Sequence, residues 1–385
     1  MPGLYLHIPF CKQACHYCNF HFSTSLKFKG ELLAALHREL TLRRENWSFV
    51  PLSTIYLGGG TPSLLSYEEL MRLFDEIYKL FKVDRDAEIT LEANPDDLSP
   101  AYLQALRRTP VNRLSIGIQS FADEDLRLMN RAHNAAEARS CLKDALSAGF
   151  DDLTVDLIYG APSTSDAQWQ ENVQTLVDLK VPHLSCYCLT VEPQTALHHF
   201  VKTGKAAPVD EDQANRQFEW LMQFVENNGY EHYEISNFAL PGRYSKHNTS
   251  YWLGEPYLGI GPAAHSFDGQ RRWWNAANNA KYIKALSGLE NAADLGRLSG
   301  DLYEEEKLTP VQQYNEYVMT GLRTKWGCNL PKIETMGAGF ADYFVQGIQP
   351  FLEQGFVLQT PSQTYLLTRQ GKFLADHIAS ELFFV

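Results

Sequence analysis

No apolar run in this sequence approaches the roughly 20 residues that a membrane-spanning helix needs. No basic segment followed by a long apolar stretch opens the chain, so a secretory signal is not expected. Positive charge is in short supply. There are 34 Lys and Arg against 46 Asp and Glu, a formal net charge of −12. That balance argues against the broad basic footprint that nucleic-acid binding uses. The cysteines number 7, an odd count with no disulfide framework. The glycine run Gly58-Gly-Gly60 is not followed by Gly-Lys-Ser, so it is not a phosphate loop. What remains is a chain of 385 residues, 44% hydrophobic and 21% charged, the profile of an ordinary globular protein. Its length suits one large domain and a smaller one.

The distinctive stretch is Cys11-Lys-Gln-Ala-Cys15-His-Tyr-Cys18, directly after the strand-like Leu4-Tyr-Leu-His-Ile8. Free cysteines rarely cluster this tightly without a metal or a bridge. A tetrahedral zinc site takes four ligands, usually in two separated pairs. Three thiolates on one short loop suit a cubane iron–sulfur cluster, each on a different iron. The fourth iron then stays open to an outside ligand, which is a catalytic arrangement rather than an electron wire. Thiols and such a cluster both point to a reducing cytoplasm.

Strand-like and helix-like segments alternate about six times up to residue 229. The strands are 4–8, 54–57, 88–92, 113–119, 152–158 and 183–189. Helical segments include 30–45, the stretch opened by the capping box Ser66-Tyr-Glu-Glu69, 135–148, 166–179 and 211–228. Alternation implies parallel strands with right-handed crossovers. Six units are too few for a closed eight-stranded barrel. The expected fold is therefore α/β, a partial (β/α)6 TIM-like barrel, with a doubly wound open sheet as the alternative that periodicity does not separate. Three divisions are expected: a core domain over 1–229, an irregular connecting region over 230–299, and a C-terminal domain over 300–385. In the last, helices followed by a two-stranded hairpin suggest a small winged-helix-like unit, acting in packing or partner contact.

Ligands of a parallel barrel sit at the carboxyl ends of its strands. Those ends carry the cysteine loop, Gly58 to Gly60, Glu92, Gln119 and Asp156, with Arg131 in the turn-rich stretch after strand four. Convergent polar groups of this kind mark a binding site. Cys186 and Cys188 face the same side of one strand and read as small apolar residues, since two ligands on one strand do not make a metal site.

The cysteine spacing behind an N-terminal strand resembles the radical S-adenosylmethionine (SAM) superfamily. Leu4-Tyr-Leu-His-Ile-Pro-Phe-Cys11, Gly58-Gly-Gly-Thr-Pro62, Leu91-Glu-Ala-Asn-Pro95, Leu114-Ser-Ile-Gly-Ile-Gln-Ser-Phe121, Asn130-Arg131 and Val155-Asp-Leu-Ile-Tyr-Gly160 are similar to the oxygen-independent coproporphyrinogen III oxidase (HemN) family. The resemblance implies a [4Fe-4S] cluster on Cys11, Cys15 and Cys18, with SAM chelating the fourth iron and cleaved after electron transfer from the cluster. It implies SAM contacts at Tyr5, Gly59, Gly60, Thr61, Glu92, Gln119, Arg131 and Asp156, with Thr190 lining the adenosyl site.

One departure points to a branch. The dehydrogenase follows its third cluster cysteine with glycine and a fourth cysteine, whereas here Asn19-Phe20 follows Cys18. The chain also starts almost at the first strand, without the dehydrogenase's N-terminal extension, and carries His247-Asn-Thr-Ser-Tyr-Trp252. These features resemble the HemW branch of haem chaperones. That branch implies haem and a haem-accepting respiratory protein as partners, and an electron donor for the cluster. It makes His247 the candidate haem ligand, with His232 and His265 as competitors. The alternative is a coproporphyrinogen III dehydrogenase in porphyrin biosynthesis.

Overall fold

A computed structural model describes residues 2–47, 50–289 and 300–385. Six strands form its centre: β1 (Gly3–Ile8), β2 (Leu52–Gly59), β3 (Val83–Ala93), β4 (Arg113–Gln119), β5 (Leu153–Tyr159) and β6 (His183–Cys188). They lie side by side in chain order, all parallel. A doubly wound sheet must reverse its strand order somewhere. This one never does, so right-handed crossovers carry every helix to the same face. The partial barrel follows, and the doubly wound alternative falls away.

Strands of this kind are covered on both faces and read as continuous apolar runs. All seven residues of β4 are buried. Several of the covering helices owe their start points to side-chain caps. Before the helix Tyr67–Leu80, the Ser66 hydroxyl accepts the Glu69 N–H at 3.2 Å and the Glu69 carboxylate accepts the Ser66 N–H at 2.8 Å. Such a cap stabilises by about 1 kcal/mol. The helix then buries Leu70, Leu73, Phe74, Ile77 and Leu80 against the sheet. Each such side chain contributes about 1.5–3 kcal/mol.

The stretch after residue 229 differs from expectation. It is not irregular but supplies strands to both edges of the sheet. On one side β7 (Glu231–Glu234) and β8 (Asn237–Ala239) pair antiparallel beside β6. On the other, β9 (Tyr257–Ile260) runs parallel to β1, followed outward by β10 (His265–Phe267), β11 (Arg271–Asn275) and β12 (Tyr303–Lys307). Among the described residues these make one 12-stranded sheet with β12 and β7 at its edges. Strands of three to five residues are too short to show a period of two, which is why the sequence hid them. The expected boundary near 299 falls beside residues outside the described part.

The C-terminal unit runs helix (Pro310–Leu322), β13 (Cys328–Asn329), helices Leu330–Glu334 and Phe340–Glu353, then the hairpin of β14 (Val357–Gln359) and β15 (Thr364–Leu367). Its sheet order β13-β15-β14 is that of a winged helix. Tyr314, Val318, Phe344, Ile348, Tyr365 and Ile378 give it a core of its own. It is fastened to the barrel at β7. The buried Glu234 pairs with Arg323 at 3.3 Å, and the Ile235 N–H donates to the Arg323 carbonyl at 3.1 Å.

Candidate functional site

The loop after β1 is held by two neighbouring segments. The Cys11 N–H donates to the Ser23 carbonyl at 3.1 Å, and the His16 N–H to the Met129 carbonyl at 3.1 Å. Asn130 grips the loop from the other side, donating to the Ala14 carbonyl at 2.8 Å while its own side-chain oxygen accepts from Gln13 at 2.8 Å. Asn130 sits in the left-handed region, with φ of 56°, which asparagine tolerates better than most residues. Sequence reasoning quoted Asn130 only as part of a motif and missed this positioning role.

Cys11, Cys15 and Cys18 are half-buried, unpaired, and line one cavity of about 990 Å³. Two hydrogen-bond donors reach their sulfurs. The Thr61 hydroxyl stands 3.4 Å from Cys11 Sγ, and Arg131 Nη1 stands 3.2 Å from Cys15 Sγ. Burial pushes the Cys11 thiol up to about 11, so it keeps its proton until a metal displaces it. Among the described residues no three His, Cys, Asp or Glu side chains are arranged to hold a single ion. Three separate thiols with donors aimed at sulfur fit a cubane cluster better than a zinc ion. Bound there, such a cluster would supply electron transfer and an open coordination position.

The strand ends complete the rim. Arg131 is held in place by Asn94 Oδ1 at 2.5 Å and the Gly117 carbonyl at 2.7 Å. Glu92 accepts the Tyr56 hydroxyl at 2.8 Å and the Gly59 N–H at 3.0 Å. Burial pushes the Glu92 carboxyl above its usual range, and burial with the nearby Glu92 charge pushes Asp156 up to about 7. Both acids face the cavity. At Gln119 the backbone turns left-handed, with φ of 69°, where the register with β5 slips. A strained bulge of this kind re-aims a side chain at the end of a strand.

Glycine is required at two rim positions for space. A Cβ on Gly59 would fall 2.4 Å from the His7 ring, and one on Gly60 would fall 2.7 Å from backbone atoms of Ile8 and Phe10. These glycines let the β2 turn lie against the cysteine loop.

The structure thus brings Cys11, Cys15, Cys18, Gly59, Gly60, Thr61, Glu92, Gln119, Arg131, Asp156 and Thr190 to one cavity. Cys188 joins them there, while Cys186 is buried in the core. Tyr5 is not on the cavity wall. Its ring stacks 6.1 Å from Tyr56 and its hydroxyl lies 3.1 Å from His7 Nδ1, one layer behind the rim.

His247 is also elsewhere. It lies not in a loop but in the helix Lys246–Trp252, only 1% exposed. Nδ1 is 2.7 Å from the Thr54 hydroxyl and Nε2 is 2.7 Å from the Tyr251 hydroxyl, so neither ring nitrogen is open to iron. The cause is local. The Glu88 carboxylate accepts the N–H groups of Lys246 and His247 at 2.8 and 2.9 Å, drawing the helix start into the foot of the barrel. Of its competitors, His232 is buried between the Ile235 carbonyl and Lys372, and His265 lines a separate, smaller cavity.

Residues 5–176 match the Radical SAM superfamily, and residues 308–374 match the HemN C-terminal domain. The chain is similar to the coproporphyrinogen III oxidase (HemN) structure from Escherichia coli, with a TM-score of 0.84 at 24% identity over 99% of this chain and 90% of that one. The fold and the cysteine loop are those of a radical SAM protein. Several relatives of higher identity share a name. The heme chaperone HemW of Bacillus subtilis (strain 168) is 34% identical over 98% of this chain and 98% of its own length. That of Escherichia coli (strain K12) is 37% identical over 68% of this chain and 69% of its own length. The chain belongs to the HemW family.

Proposed function

We propose that the protein is a haem chaperone built on the radical SAM fold. In this reading Cys11, Cys15 and Cys18 hold one [4Fe-4S] cluster. Gly59, Gly60, Thr61, Glu92, Gln119, Arg131 and Asp156 hold SAM, with Tyr5 supporting the rim from behind Tyr56. Haem is the cargo, passed on to a respiratory protein in the cytoplasm, with an electron donor serving the cluster.

The observation that carries the reading is the far wall of the cavity. Phe20 (70% exposed), Tyr187 (43%), Phe373 and Leu374 (37% each) all line it. Large apolar side chains left open in one concavity call for an apolar ligand. Phe20 and Asn19 stand where the dehydrogenase pattern has glycine and a fourth cysteine. About 990 Å³ is at the upper end of the range for small-molecule sites, and leaves room beside SAM.

The test is an anaerobic titration of the cluster-loaded protein with haemin, followed by mixing with a haem-free acceptor. Saturable binding near one haem per chain and transfer to the acceptor are expected. Incubation with reductant, SAM and coproporphyrinogen III is the counter-test. Formation of protoporphyrinogen IX would replace the carrier reading with the enzyme.

A further inference from the structure

If haem is the cargo, its iron needs a ligand, and the histidines can be sorted by what their rings already do. Of the 12 histidines, seven have a ring nitrogen engaged in a hydrogen bond. Among the other five, one lines the main cavity: His377, on the helix Ala375–Glu381. Its side chain is exposed and no hydrogen bond holds either ring nitrogen among the described residues. Its ring stands edge-on to Phe351, at 6.3 Å between centroids, and Phe373, four residues earlier, and Leu374 give the same wall an apolar stretch beside Asp376. Residues four apart on a helical stretch present to the same side.

The same wall carries a cation without a direct ion-pair partner among the described residues, since the Glu226 carboxylate that acts on it is already paired with Arg369. Arg323 is already paired with Glu234 at 3.3 Å and Asp376 at 2.6 Å. Lys372 forms no ion pair among the described residues, and its ammonium donates only to His232 Nδ1 at 2.8 Å. His232 is neutral, since burial and then the Lys372 charge drive its pKa well below the ordinary value. Two N–H donors of Lys372 are therefore left for an anion. A porphyrin with carboxylate arms offers an apolar plane, an iron that takes a neutral imidazole, and such an anion.

We propose that His377 is the axial ligand of the bound haem iron, with Lys372 holding a propionate and Phe373 and Leu374 packed against the ring. The inference rests on the haem reading above and names its binding site. One ring nitrogen gives its lone pair to iron in place of a water, and the other keeps its proton. The ligand therefore comes from the C-terminal unit and the cluster from the barrel, so the bound porphyrin spans the two.

The test is a haemin titration of the cluster-loaded full chain, read by absorption. The wild type should bind near one haem per chain with an imidazole-type band. His377→Ala should shift that band and weaken binding at least tenfold. His377→Met should keep binding with a thioether-type band, which shows that the position itself ligates. Lys372→Met should weaken binding several-fold and leave the band unmoved. An unchanged band in both His377 variants, or loss of the band in His247→Ala alone, overturns the assignment and leaves the haem reading standing. No saturable binding by the wild type removes the haem reading, and this site with it.

Discussion

Glu92 offers the most discriminating perturbation, because its two substitutions separate binding from folding. The carboxylate already accepts the Tyr56 hydroxyl and the Gly59 N–H. Glu92→Ala orphans both donors, at about 1–3 kcal/mol for each that stays buried, so weaker SAM binding by that variant would prove little. Glu92→Gln keeps the shape. Its carbonyl oxygen can accept the Gly59 N–H while its amide donates to the Tyr56 oxygen. What it loses is the charge. If ribose hydroxyls bond to Glu92, a charged hydrogen bond worth about 1.5–3 kcal/mol goes with it, a loss of roughly 10- to 150-fold in affinity. Burial works against the charge in the ligand-free protein, as the raised pKa records. The thermal midpoint of Glu92→Gln should therefore hold or rise while SAM affinity falls. Thermal unfolding and equilibrium dialysis of the cluster-loaded protein measure the two. Wild-type SAM affinity in Glu92→Gln would refute the rim assignment, whatever Glu92→Ala does.

Replacing Cys11, Cys15 or Cys18 by Ala should abolish the roughly four irons per chain of one cubane, whereas Cys188→Ala should keep them; iron and sulfide analysis after anaerobic reconstitution decides. Asp156, pushed up to about 7, gives a pH signature. Its carboxylate forms as pH rises through that value, so binding of cationic SAM should strengthen there, and Asp156→Asn should flatten the profile. The same shift has a sign for stability. The contribution is full below the unfolded value near 3.9 and is lost as pH rises through about 7, so Asp156→Asn should gain on the wild type in thermal scans from about pH 5 to 8. His247→Ala should cost about 2–4 kcal/mol by opening a cavity and orphaning the Thr54 and Tyr251 hydroxyls, without moving the haem absorption band. Denaturant unfolding and a haemin titration check it, and a shifted band would restore His247 as ligand.

The parts of the fold legible in the sequence were those with local causes. The capping box at Ser66 and Glu69 announced its helix, and the segment Arg113–Gln119 announced a strand, which proves to be buried along its whole length. Strand order was not legible, since periodicity says nothing about which neighbour a strand takes. Lys246–Trp252 shows the limit most plainly. Asn, Thr and Ser are poor helix formers, and seven residues are too few to be helical alone. The Ser245 cap is local, but the carboxylate that finishes the helix start is Glu88, 158 residues away from Lys246 in sequence. The rim residues were legible because strand ends in a parallel barrel must converge. The placement of Tyr5 behind the wall was not legible for a related reason: a strand period gives its face, not the layer of side chains standing between it and the cavity.

The same distant contacts tie the histidine motif to the rim of the cavity. Glu88 fixes the start of the helix, which sets the His247 ring in a stack with Tyr56, at 5.0 Å between centroids and 23° between planes. The Tyr56 hydroxyl in turn donates to Glu92 on the rim. A run of packed groups therefore joins the foot of the barrel to the carboxylate assigned to SAM. The His247 pKa is driven down to about 3, first by burial and then by Arg113, so the ring is neutral and suited to stacking and hydrogen bonding rather than to charge pairing. Protonating it would break that arrangement. Its stabilising contribution is present above the unfolded value near 6.5 and is lost as pH falls toward about 3. Histidine fits this place because one ring supplies a flat face for Tyr56 and two nitrogens for Thr54 and Tyr251. Phenylalanine would keep the face and orphan both hydroxyls, and glutamine would keep one partner and lose the stack.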